Sequence, residues 1–294
     1  DEMKIKETPG ERIFDIVNII LLLALVFVIV MPVWHVVCYS FSDANRVMAT
    51  NGLLLLPEGF SLESYQAVAR NPNIFTGYRN TIFIVIVGTL LSLLLTLMGA
   101  YVLSRKGFLW NRLLSLMVVF TMYFSGGMIP FYLTVRTVGL DGSIWSLIIP
   151  SAISTYNMII MRTAMASVPA SMEESATIDG AGHFRILFSI MIPLTKATLA
   201  VIALYYAVSN WNAWFNAMLF LRDKSLYPLQ LILREILVQN DTTMMSAGMG
   251  EDQFLIGETI KYATIVVATV PILCVYPFLQ KYFVKGVMIG AVKE

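Results

Sequence analysis

Charge is what this chain has least of. Only 13% of its 294 residues are Asp, Glu, Lys or Arg, against 57% hydrophobic, and the mean hydropathy is +0.74. That composition belongs to membrane proteins rather than to soluble domains. A formal net charge of +1 gives no electrostatic basis for binding nucleic acid. Histidine is scarce as well: His35 and His183 are too few to assemble a metal cluster, and neither has Ser and Asp at a spacing that suggests catalysis. The two cysteines, Cys38 and Cys274, suggest neither a disulfide framework nor a metal site, and are read as small apolar side chains. No G-x-x-x-x-G-K-[ST] occurs, so any ATP that drives this chain is bound elsewhere. No catalytic or metal-ligating residue is assigned, and an enzyme reading has no support.

What the chain does have is length without charge. Six uncharged stretches approach the roughly 20 residues needed to cross a bilayer: Ile16 to Ser42, Thr81 to Ser104, Leu113 to Val135, Gly142 to Met161, Ala197 to Leu221 and Tyr262 to Gln280. They predict an all-α polytopic membrane protein with spans near 16–39, 81–104, 113–135, 142–161, 197–221 and 262–280. Residues 16–283 form the membrane domain, with a terminal segment at 1–15 and a tail at 284–294. The first stretch is too long and too weakly basic at its start for a signal peptide, and is read as a retained span. Pro32, Pro130, Pro150, Pro271 and Pro277 interrupt helical ladders, which a bundle tolerates where neighbours cover the freed backbone groups.

The basic residues orient the spans. Lys4, Lys6, Arg12, Arg105, Lys106, Arg112, Arg162, Arg185, Lys196, Lys281, Lys285 and Lys293 fall on one side, leaving eight of the twenty on the other. By the positive-inside rule both termini and the loop 170–193 are cytoplasmic. The longer connections, Asp43 to Asn80 and Arg222 to Lys261, lie opposite. In the second, Asp223, Glu235, Asp241, Glu251, Asp252 and Glu258 face only Arg222, Lys224, Arg234 and Lys261, as a docking face or a solvated loop would.

Two groups of residues stand out against this apolar background. From Ser171 the chain predicts a short helix, a turn at Gly180 and a second helix ending at Pro193. Glu173 and Glu174 occupy the first turn, where carboxylates suit the helix dipole. Phe184, Leu187, Phe188 and Met191 recur at three- and four-residue spacing and predict one sticky face, while His183 is placed on the segment's surface. In the fifth span Tyr205, Ser209, Asn212 and Asn216 fall in one predicted stripe, flanked by Trp211 and Trp214; Tyr156 and Asn157 make a weaker pair in the fourth. Such side chains are costly against lipid, so they serve either as interhelical bonds or as the lining of a route for a neutral, polyhydroxylated solute. The absence of charge from the spans argues against a proton or sodium relay.

The segment E-S-A-T-I-D-G-A-G-H-F-R-I-L-F-S-I-M-I-P resembles the coupling loop of bacterial ABC importer permeases, E-A-A, three residues, G, nine residues, I-x-L-P. Glu174, Ala176, Gly180, Ile190 and Pro193 match it, with Ser175 and Ile192 as departures. Trp211-Asn212, Tyr227-Pro228-Leu229-Gln230 and the C-terminal run from Gln280 extend the resemblance over essentially the whole chain. The chain is similar to carbohydrate permeases of the maltose-permease G-subunit class, and more so to the branch for complex oligosaccharides and polysaccharide fragments. The resemblance implies the six-helix type I importer fold with a cytoplasmic coupling helix between spans 4 and 5, in the bacterial inner membrane. It implies a second, different permease, two copies of a cytoplasmic ATPase that bind ATP and Mg, and an extracytoplasmic solute-binding protein. Coupling would fall to Glu173, Glu174, Ala176, Asp179, Gly180, Phe184, Leu187, Phe188, Ile190 and Pro193. An ATP-independent facilitator or a non-transporting scaffold is the alternative expectation.

Overall fold

The structure is a computed structural model describing residues 8–47, 52–105, 110–238, 257–274 and 277. The tail 284–294, the 239–256 stretch with Asp241, Glu251 and Asp252, and the C-terminal signature lie outside the described residues. Among those described, every regular element is helical apart from one antiparallel bridge between Ser42 and Phe60. The helices are α1 (Pro9–Ser40), α2 (Ala44–Val47), α3 (Glu63–Arg70), α4 (Pro72–Ser104), α5 (Asn111–Tyr123), α6 (Met128–Thr137), α7 (Trp145–Ile148), α8 (Thr155–Ala166) and α9 (Ala170–Ile178). There follow α10 (His183–Ile186), a π-helical stretch (Leu187–Met191), α11 (Ile192–Leu194), α12 (Lys196–Trp211), α13 (Phe215–Phe220), α14 (Leu229–Val238) and α15 (Gly257–Cys274).

Three of these, α1, α4 and α15, are individually long and apolar enough to cross a membrane. Two bent pairs add two more if each is one broken span: α5 with α6, bent by 115°, and His183–Leu194 with α12, bent by 89°. The expected continuous helix at 113–135 is therefore two helices. Its break falls at Phe124–Gly127, where Gly127 takes φ +86°, a conformation that favours glycine. The expected span at 142–161 is also divided, into short α7 and α8, with Pro150 between them. The span expected at 197–221 ends as α12 at Trp211 and resumes as α13. Pro150 is among the prolines that the sequence marks as interruptions, whereas the breaks at Gly127 and after Trp211 go unmarked because Gly and Asn interrupt a helix without adding charge.

The chain forms two compact units, residues 1–71 with 236–269 and residues 72–235 with 270–294. In the first, α1 opens on a capping box: the Thr8 N–H donates to Glu11 Oε2 at 2.7 Å, the Glu11 N–H reaches Thr8 Oγ1 at 3.4 Å, and Pro9 occupies the first helical position. Its apolar window has mean hydropathy 3.1 and buries none of its residues inside the chain. The helix is anchored at its C-terminal end, where Cys38, Val47 and Leu54 form a small core. There the Trp34 indole donates to the Leu55 carbonyl at 2.8 Å, and His35 Nδ1 accepts from the Leu54 N–H at 3.0 Å. Cys38 is buried as expected of an apolar thiol, whereas Cys274, at the end of α15, is exposed.

The second unit is organised on α4, packed against α8 and α12. Leu97, Ala100, Tyr101, Leu103, Met158, Met161, Met165, Ile202 and Tyr206 fill the space between them together with Ile186, Leu187 and Met191. Toward the other end of α4, buried Asn80 donates from Nδ2 to the carbonyls of Ser225 (2.8 Å) and Tyr227 (3.1 Å), while Thr81 Oγ1 accepts the Leu229 N–H at 2.9 Å. Gly77 lets this clasp close, since a Cβ there would lie 2.5 Å from Ile232 Cδ1 and 3.2 Å from Leu229 Cα. One helix thus holds the loop 225–229 at one end and the 170–193 segment at the other.

Candidate functional site

The polar segment folds as a helix-turn-helix. α9 ends where the Ala181 N–H reaches back to the Ala176 carbonyl at 2.9 Å and the Gly180 N–H to Thr177 at 3.0 Å, the closing pattern of a left-handed helix cap. Gly180 supplies the required φ of +78°, and nothing lies within 4 Å of the position a Cβ would occupy. Conformation rather than crowding selects glycine here. The second arm passes from α10 into a π-helical turn in which the Ile192 N–H donates to the Leu187 carbonyl. Such turns are rare and concentrate at functional positions. Pro193 follows inside α11, without an N–H to extend the ladder, and the chain bends at Thr195, whose hydroxyl donates to the Met191 carbonyl at 2.7 Å.

The predicted single face of the second arm divides in two. Leu187 and Met191 are 2% and 4% exposed and belong to the core around α4, whereas Phe184 and Phe188 remain 68% and 49% exposed. The core lies against one side of this arm, so Leu187 and Met191, four residues apart, are drawn in and the two phenylalanines are left out. Ala176 and Ile190 are half-buried; Glu174, Asp179, Gly180 and Pro193 are exposed.

Glu173 is not simply a surface carboxylate. It forms an ion pair with Arg105, the residue that follows α4, and Arg105 Cζ stands 4.1 Å from the centroid of the Tyr101 ring. Burial pushes the Glu173 carboxyl up, His183 opposes the shift, and Glu174 adds to it; burial pushes the Arg105 guanidinium down. Partly desolvated opposite charges of this kind are tolerated only when they meet one another. Tyr101 also bonds His183 Nδ1 across 3.4 Å. The pair frames a cavity of about 500 Å³ lined by Met98, Tyr101, Val102, Arg105, Glu173, His183, Phe184 and Leu187. Sequence reasoning missed Tyr101 and Arg105; His183 is exposed, as the sequence placed it, and its contact with Tyr101 is what the sequence did not show. Nothing in the chain announces a contact between residues about 70 or 80 positions apart.

A second cavity, of about 370 Å³, is lined by Ser151, Ser154, Tyr156, Asn157, Tyr205, Tyr206, Ser209 and Asn210. It joins the two polar groups that the sequence offered separately, since Tyr156 and Asn157 come from α8 and Tyr205 and Ser209 from α12. All eight side chains are uncharged. Asn157 is only 5% exposed. The Ser154 hydroxyl caps α8 by accepting the Asn157 N–H at 3.3 Å. Tyr206 stands at the centre: its hydroxyl accepts the Ser154 N–H at 2.9 Å and shares a 2.7 Å hydrogen bond with Thr96 of α4. Asn210 Nδ2 reaches Thr89 Oγ1 at 3.3 Å, over Gly88, where a Cβ would come within 2.9 Å of that amide.

The expected stripe does not continue past Ser209. α12 ends at Trp211, so Asn212 becomes its C-cap, exposed and bonded from Nδ2 to the Val208 carbonyl at 2.9 Å, and Asn216 lies beyond the break in α13. Trp211 sits edge-on to Tyr78, with ring centroids 6.5 Å apart. Tyr206, Ser151, Ser154 and Asn210 replace Asn212 and Asn216 in the cavity wall. Tyr206 was overlooked because it neighbours the stripe rather than lying on it.

Broken apolar helices beside an uncharged polar cavity, with a helix-turn-helix gripped at one end of the longest helix, have the build of a membrane transport subunit. No family model matches the chain. It is 40% identical over 287 residues, covering 96% of this chain and 99% of the relative, to the polygalacturonan/rhamnogalacturonan transport system permease protein YtcP of Bacillus subtilis (strain 168). It is 26% identical, over 91% and 92% of the two chains, to the arabinooligosaccharides transport system permease protein AraQ of Halalkalibacterium halodurans. The fold superposes with a TM-score of 0.90 and 35% identity, over 95% of this chain and all of the other, on a chain in the crystal structure of a bacterial ABC transporter involved in the import of the acidic polysaccharide alginate. The chain belongs to the carbohydrate ABC importer permeases. It is an integral membrane transport subunit, and neither a facilitator nor a scaffold is favoured by these likenesses.

Proposed function

We propose that this permease carries an oligosaccharide or polysaccharide fragment across the bacterial cytoplasmic membrane by alternating access, as half of a pore formed with a second, different permease. Two copies of a cytoplasmic ATPase would bind ATP and Mg and perform the hydrolysis, and an extracytoplasmic binding protein would deliver the solute. The near-complete match, at 40% identity, to a polygalacturonan/rhamnogalacturonan transport system permease carries this reading. In it the 170–193 segment is the coupling helix-turn-helix, facing the cytoplasm with both termini, and six spans cross the membrane. The exposed Phe184 and Phe188 are its docking face, with Glu173, Glu174, Ala176, Asp179, Gly180, Leu187, Ile190 and Pro193 shaping it.

The uncharged cavity supports a role in the solute path. Serine, tyrosine and asparagine exchange hydrogen bonds with hydroxyls, each with a net value of about 0.5–1.5 kcal/mol. Tyr156, Asn157, Tyr205 and Ser209, which line this cavity, would do so, and Trp211, Asn212 and Asn216 would act farther along the path. Proteoliposomes holding the permease pair, the ATPase and the binding protein should hydrolyse ATP faster when oligogalacturonides or neutral arabino-oligosaccharides are supplied. Turnover indifferent to both, or ATP turnover by this chain alone, overturns the proposal.

A further inference from the structure

Tyr101 and Arg105 are four residues apart at the end of α4, so they project from one side of it. Each holds a different arm of the helix-turn-helix. Arg105 pairs with Glu173 in the first arm, and Tyr101 bonds His183 in the second, so the Gly180 turn is straddled by two contacts to a single helix. The same helix carries Thr96, five residues earlier, whose hydroxyl bonds Tyr206 in the wall of the polar cavity. Between these polar contacts, Leu97 and Tyr101 pack in one buried cluster with Leu187, Met191 and Tyr206.

The geometry points to Arg105 and Tyr101 as positioning residues that latch both arms of the segment to α4, so that α4 itself conveys the segment's displacement to the Tyr206 wall. This rests on the segment being the ATPase-docking element. The latch is a local device, not a docking contact: Arg105 faces Glu173 and the Tyr101 ring, while Phe184 and Phe188 are presented outward. The cavity of about 500 Å³ beside it leaves room for the arms to shift against α4 once the ion pair is lost. Contacts to the segment and to the Tyr206 wall from one short stretch of a packed helix, Thr96 to Arg105, are what a transmitted motion requires, because packed elements move as bodies rather than deforming continuously.

The test uses the full transporter in proteoliposomes. Arg105→Gln removes the charge and Arg105→Lys keeps it. The double exchange Arg105→Glu with Glu173→Arg restores an ion pair in the opposite sense. Three quantities are read: ATPase co-purification, ATP turnover without solute, and its stimulation by solute and binding protein. Arg105→Gln should retain the ATPase and the unstimulated turnover while losing about fivefold or more of the stimulation, within the range of ordinary coupling effects. Arg105→Lys should recover part of the loss and the double exchange most of it.

Full stimulation in Arg105→Gln overturns the latch, as does a double exchange no better than the single. Loss of the ATPase from Arg105→Gln also overturns it, because the residue would then shape docking rather than transmission. Failure of the underlying reading is separately visible. If Phe188→Asp, on the outward face, still co-purifies the ATPase at full stoichiometry, the segment is not the docking element and the latch falls with it.

Discussion

Replacing Tyr206 by Phe deletes one oxygen atom and breaks two bonds at once. The Thr96 hydroxyl loses its 2.7 Å partner and the Ser154 N–H its 2.9 Å acceptor, both beside a fully packed ring that phenylalanine refills without a void. Interhelical hydrogen bonds in membrane proteins average about 0.6 kcal/mol, and leaving a buried donor unsatisfied costs about 1–3 kcal/mol. Two bonds, one to a backbone N–H, therefore give an expected loss of about 1–2 kcal/mol. The neighbouring exchange Tyr205→Phe deletes the same atom from a half-buried side chain that lines the cavity without a hydrogen bond among the described residues. It should leave stability within about 0.5 kcal/mol of the parent, the usual range for substitutions away from specific contacts, and act instead on solute-dependent turnover. Reversible denaturant titration in bicelles measures the first quantity and reconstituted transport the second. If Tyr206→Phe proves neutral while Tyr205→Phe destabilises, the assignment of wall and lining is wrong.

Two further perturbations probe other parts of the argument. Gly180→Val should cost about 1–2 kcal/mol through the left-handed backbone and Gly180→Asn distinctly less, since no neighbour crowds the site; equal losses, read by thermal melting in detergent, would mean that crowding and not conformation governs the turn. Asn80→Leu orphans the carbonyls of Ser225 and Tyr227 and should destabilise by about 1–3 kcal/mol with faster proteolysis of the 222–229 loop, an outcome excluded if limited digestion is unchanged.

The parts of this fold that the sequence disclosed are those governed by local rules. Apolar run length located α1 and α4, glycine marked the turn at 180, and proline marked the redirection near 193. Polar residues in apolar runs were correctly singled out, but their grouping was drawn by extending one helical period from Tyr205 to Asn216. A break after Trp211 ends that period, and no charge or repeat betrays it. The cavity wall comes instead from pairing α8 with α12, a tertiary choice. Likewise Phe184, Leu187, Phe188 and Met191 share a spacing, yet the core accepts only two of them. Arg105 looked like one more orienting cation at a span end, and only its proximity to Glu173 gives it a second use.

The π-helical stretch between Leu187 and Met191 carries a consequence for how chains of this kind can vary in length. A π turn holds one more residue than the α turn it replaces. Deleting one residue there would let the turn close to ordinary α-helix while the positions that follow keep roughly their orientation about the axis. The corner at Thr195 into α12 would stay where it is, whereas one residue removed from an unbroken α-helix rotates every later position by about 100°. Single-residue deletions are thus absorbed at this place and are geometric events elsewhere in the arm.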